Sequence, residues 1–183
     1  MNTTGVSLGQ DKTMMPRKMF RSPQSEKVIP AAPGRIQAPG TRIGYDPLLI
    51  SRLKADHQRM LDLFAHAQAL LSSRDYDGVK RKLGELRIIL QDHLMTTSVK
   101  FYVYITRQLA PDPAKSALIH AHRRDMLENS RLILDFLRTY TAVRLDDSFA
   151  DVFQTEFLAI GAALVQRMER EEATLFPLYR ANY

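Results

Sequence analysis

The 183 residues contain no cysteine. That excludes disulfides, thiolate zinc sites and cysteine nucleophiles, and it restricts any metal site to His, Asp, Glu or Tyr ligands. No apolar run approaches the roughly 18 to 20 residues that a membrane span needs, and the first residues lack the apolar core of a signal peptide. We therefore expect a cytoplasmic protein with no membrane contact, which suits a reducing compartment. A Gly-rich phosphate loop and a Gly-x-Ser-x-Gly nucleophile elbow are also missing. Apart from the fourth-helix glutamates Glu171 and Glu172, which helix packing explains, no paired carboxylates point to catalysis, so no enzyme is expected.

What is present has the make-up of a globular chain, with 45% hydrophobic and 25% charged residues and a length that suits one domain plus an appendage. The net charge of +6 is uneven. Residues 1–44 carry seven basic side chains against Asp11 and Glu26, a net of +5, and also five of the nine prolines and five of the eight glycines. A segment so poor in periodic apolar residues cannot bury enough surface to offset its ordering entropy, so a disordered basic arm is expected there. Two readings of the arm stay open. It touches nucleic acid or an acidic partner, with Met19 and Phe20 as a short anchor, or it is a solvated leader.

From Tyr45 onward the apolar residues recur at helical steps, which marks residues 45–183 as one domain. Asp46 and Pro47 open a first helix over about 46–72, with Leu53, His57, Met60 and Phe64 facing inward. Asp77 is read as the cap of a second helix that carries Leu83, Leu86, Leu90, His93, Thr97, Phe101 and Tyr104 and ends near Arg107. Pro111 and Pro113 break the chain before a third helix, which bears Ile119, His122, Met126, Ile133 and Phe136 and ends near Val143. Asp146, Asp147 and Ser148 precede a fourth with Phe153, Phe157, Leu164, Met168, Glu171 and Leu175, which closes near Pro177. Four such amphipathic helices with short connections predict an all-α, up-down-up-down antiparallel four-helix bundle.

The inward faces are interrupted by His57, His93 and His122, one on each of three helices, while the fourth brings Arg167, Glu171 and Glu172 to a comparable depth. Facing helices build metal sites in this way, because imidazole and carboxylate need close neighbours to replace water. Buried histidines each satisfied by a hydrogen bond would give the same pattern. His66, between two alanines near the end of the first helix, reads as a surface or boundary residue. Tyr102 and Tyr104 read as core or interface aromatics.

At these positions residues 46–180 resemble the hemerythrin-like, or HHE cation-binding, family. Asp56-His57 in LKADHQRMLDLF is similar to its first-helix motif, in which the histidine binds iron. LQDHLMTTSVKFYVY resembles H-x-x-x-E-x-x-x-[LF]-[FY], with His93 as ligand and Thr97 where the bridging glutamate belongs. HRRDMLENSRLILDFL is similar to a third helix with two histidines four apart, yet His122 has Leu118 and Met126 at those distances. MEREEATLFPLY resembles H-x-x-x-E-E-x-x-L-F-P, with Glu171 and Glu172 in place and Arg167 at the histidine.

The resemblance implies a metal, oxygen or redox sensor with a reduced ligand set. Thr97 cannot bridge two cations, and the Arg167 guanidinium repels a second one and has no lone pair to offer. His57, His93, His122, Glu171 and Glu172 remain for a single Fe or Zn ion, with His120 or Asp125 joining if the third helix is rotated. A full di-iron centre is not expected. Arg167 itself is expected either to replace the missing cation inside the bundle or to reach solvent and pair with Glu171 there. A weaker resemblance, through Glu169-Arg170-Glu171-Glu172, is to the regulator of sigma D, an iron-free bundle that binds a sigma factor. It implies the alternative of a regulatory module that binds a macromolecular partner through the bundle and the basic arm.

Overall fold

The computed structural model describes residues 43–181, together with Met1 and Gly40. The chain divides into two units, Met1–Ala32 and Pro33–Tyr183, and the second holds every helix described below. The expected basic arm falls almost wholly outside the described residues. At its edge, Ile43 packs against the core, so core packing begins slightly before the composition change at Tyr45.

The fold is all-α. Helix α1 spans Leu49–Ser72, and α2 spans Tyr76–Thr96 and runs through a π-helical turn, Thr97–Tyr102, into α3, Val103–Gln108. Helix α4 spans Pro113–Ala142, and α5 spans Ala150–Arg170 and continues through a second π turn, Glu171–Leu175, into the 3-10 turn Phe176–Leu178. Among the described residues no helix is long and apolar enough to cross a membrane.

The helix starts follow local chemistry, with three corrections. Helix α1 opens at Leu49 after Leu48, which makes no side-chain cap, and Asp46 accepts from the Leu48 amide in the turn ahead of it rather than capping the helix next to Pro47. Asp75, not Asp77, caps α2, because its side chain accepts from the Gly78 amide at 2.8 Å. Asp77 instead lies in the first turn, where its charge suits the helix N-terminus. The α1–α2 turn places Arg74 in the left-handed region at φ 59°, where its guanidinium reaches Asp147 at 3.1 Å. Asp112 caps α4 by accepting from the Lys115 amide, with Pro113 at the first helical position. Ahead of α5, Asp146 accepts from Ser148 in a turn rather than capping the helix itself.

Two buried apolar clusters stack along the bundle axis. One includes Met60, Leu83, Leu86, Leu90, Ile133, Phe153, Phe157 and Leu164, and the other includes Leu53, Phe101, Tyr102, Ile119, Met126 and Leu175. Chain order through the clusters alternates: α1 and α4 pass from the second to the first, and α2–α3 and α5 return. That alternation is the up-down-up-down topology, with α2–α3 counted as one bundle helix. Between the clusters sit the buried polar side chains His57, His93, Thr97, Ser130, Arg167 and Glu171, so polar chemistry is concentrated in one layer.

Candidate metal centre

Each residue of this layer occupies an ordinary core position on its helix. His57 lies four residues after Leu53 and three before Met60, His93 three after Leu90, and Glu171 four before Leu175. Sequence spacing alone therefore turns all three inward.

Glu171 is the centre of the cluster. Its Oε2 lies 3.0 Å from His57 Nε2 and 3.4 Å from His93 Nε2, and the two imidazole rings are 4.8 Å apart. Its Oε1 accepts from Arg167 Nε at 3.1 Å and from Arg167 Nη2 at 2.9 Å. Both guanidinium nitrogens meet one oxygen, so the pair is not the parallel two-oxygen fork that arginine often makes. Arg167 is thus internal, as one of the two sequence readings has it. Burial pushes the Glu171 carboxyl up, but the hydrogen bonds to His57 and His93 and the Arg167 charge outweigh it and hold the group well below its ordinary value.

A second carboxylate stands behind each imidazole. Glu172 Oε1 lies 2.9 Å from His57 Nδ1, and Lys54 Nζ holds the other Glu172 oxygen at 3.1 Å. Burial raises the Glu172 carboxyl, but its bonds to His57 and Lys54 leave it below the ordinary value. Asp56 Oδ2 lies 3.5 Å from His93 Nδ1, within ion-pair range but without hydrogen-bond geometry. Carboxylates behind metal-binding imidazoles fix ring orientation and tautomer. In the sequence Asp56 reads only as the neighbour of His57. Its relation to His93 spans two helices, and no spacing rule along the chain reveals it.

The metal-ligating atoms of His57, His93 and Glu171 lie within 4.8 Å of one another. His122 is not one of this group. It is half-buried on α4 and faces a small cavity shared with Arg167 and Glu171. Glu172 supports His57 from outside the cluster, while His120 and Asp125 are exposed. At the substituted positions, the Thr97 hydroxyl donates to the His93 carbonyl at 2.6 Å, and the Met126 sulfur accepts from Tyr102. Neither offers a ligand in place of the expected Glu or His.

Two imidazoles and one carboxylate form a donor set that suits a divalent transition metal. The family model for the hemerythrin HHE cation binding domain matches residues 48–179. Comparisons with curated proteins and with solved structures found no match. The matched span contains all four bundle helices and the whole polar layer, and the chain belongs to the hemerythrin HHE cation-binding domain family.

Proposed function

We propose that this bundle holds one divalent transition-metal ion, iron or zinc, through His57 Nε2, His93 Nε2 and Glu171, and acts as a non-enzymatic cytoplasmic sensor of metal, oxygen or redox state. The observation that carries the proposal is the convergence of both Nε2 atoms on Glu171 Oε2, with a carboxylate behind each Nδ1. Ligands about 2.1 Å from a tetrahedral ion lie about 3.4 Å apart, close to the separations found here. A bound ion supplies Lewis acidity, and iron adds one-electron chemistry.

One cation fits this layer, and two do not. Glu171 Oε1 is occupied by Arg167, whose fixed charge opposes a second ion on that side. Within this proposal His57 and His93 bind, Glu172 orients His57, the Asp56 charge faces His93 Nδ1, and Arg167 keeps Glu171 ionised and turned toward the imidazoles.

Elemental analysis of the full-length protein, loaded anaerobically with Fe(II) or Zn(II) and then desalted, tests the reading. It predicts about one ion per chain and loss of binding in His57→Ala and His93→Ala. Two ions per chain, or binding that survives both substitutions, would count against it.

A second reading, a metal-free module that regulates a macromolecular partner, draws support from the outer face of α4. There His120, Arg124 and Arg131 line up around Leu127, with Arg123 and one acidic residue, Glu128, beside them. Absence of metal binding combined with binding to an acidic protein would favour that reading.

A further inference from the structure

On the Arg167 side of Glu171 lies a cavity of about 20 Å³. It has room for one small guest, a water molecule or a monatomic ion. Its polar lining comes from Tyr102, His122, Asp125, Asn129, Arg167 and Arg170, beside Glu171 itself. Arg167 is buried and commits Nε and Nη2 to Glu171, which leaves Nη1 without a protein partner among the described residues. Tyr102 is fully buried, and its hydroxyl donates only to the Met126 sulfur at 3.5 Å, a weak acceptor. Burial and the Glu171 charge push the phenol up, so it keeps its proton at neutral pH. His122, Asn129 and Arg170 make no hydrogen bond or ion pair among the described residues.

The inner wall is therefore rich in donors that lack strong acceptors. Glu171 already receives four nitrogen atoms from Arg167, His57 and His93, and Asp125 is exposed, with Arg170 lining the same cavity. A cation placed here would face a guanidinium that has no lone pair. A compact anion would instead convert the Arg167 and Tyr102 donors into charge-assisted hydrogen bonds.

We propose that this cavity is a binding site for one compact monovalent anion of chloride or bromide size, held by the free edge of Arg167, the Tyr102 hydroxyl and the Asn129 amide. None of these three side chains belongs to the proposed ligand set, but Arg167 also holds Glu171 Oε1, so the site is tested on protein stripped of metal.

The test is thermal unfolding of the full-length, chelator-treated protein at constant ionic strength, with gluconate exchanged for chloride, bromide or sulfate. Chloride and bromide should raise Tm saturably, and the larger sulfate should do so less. Tyr102→Phe keeps the ring and removes the donor, so the chloride concentration at half-effect should rise roughly ten-fold or more. Asn129→Ala, at a half-buried position, should weaken the response in the same direction. Should either variant fold poorly, anomalous diffraction from crystals of the parent grown in bromide decides, with the ion expected between Arg167 and Tyr102. The proposal is overturned by an unsaturable or absent halide response, by an equal response to sulfate, by unchanged half-effect concentrations in both variants, or by bromide lying elsewhere.

Discussion

At the scale of single residues, the Glu171–Arg167 pair dominates the energetics of the polar layer. A carboxylate this deeply buried loses its hydration, and the four nitrogen contacts offset that loss. Removing one partner is far more costly than replacing both, because the remaining charge is left buried. Arg167→Met should therefore destabilise the metal-free protein by about 3 kcal/mol or more, measured by urea unfolding. A loss under about 1 kcal/mol would match a solvent-exposed pair and contradict the burial argument. The sequence shows that Arg167 and Glu171 are one helical turn apart. It leaves open whether they meet inside the bundle or at its surface, because a long arginine stem can reach either.

At the scale of elements, both π turns open at the polar layer, one at Thr97 and one at Glu171. A π turn inserts one residue and so advances the helical phase by about 100°. Regular stepping from Thr97 predicts Phe101 and Tyr104 as inward residues, and both are buried. Ile105, four residues after Phe101, is buried by the same stepping, while the phase advance buries Tyr102 as well and brings its hydroxyl to the Met126 sulfur. Three- and four-residue spacing cannot reveal this, since it assumes an unbroken α-helix. Close helix contact also depends on Gly161, where an added Cβ would lie 2.2 Å from the Phe64 ring. That ring stacks on Phe157 at 4.0 Å, which restricts its room to move. Gly161→Ala should lower stability by about 1 to 3 kcal/mol despite the better helix propensity of alanine. Adding Phe64→Leu should recover part of the loss, and a stabilised single variant would show that the ring moves freely.

At the scale of the whole molecule, the polar layer interrupts the core and ties bundle stability to pH. Glu171 titrates below its ordinary value of 4.5 in the folded state, so folding favours its ionised form. Its contribution is full above that value and is lost as pH falls toward the folded-state value. Acid unfolding of the metal-free protein should therefore steepen below about pH 5, and Glu171→Gln, though less stable at neutral pH, should flatten that limb. Glu172 adds less, since its side chain is 36% exposed and solvent screens its pairs. Parallel acid limbs for the parent and Glu171→Gln would mean that other carboxylates govern the transition.

The amino-acid sequence by itself determined the helix count, the four-helix topology and the inward placement of His57, His93 and Glu171. These depend on local periodicity, proline breaks and short connections, all encoded within a few turns of chain. Tertiary structure decided which polar residues meet. It joined His57, His93 and Glu171, placed Glu172 and Asp56 behind the imidazoles, turned Arg167 inward, and left His122 beside a separate cavity. Those outcomes depend on the rotation of each helix about its axis and on two π turns. Packing between helices sets the rotation, and no residue spacing along one helix contains it.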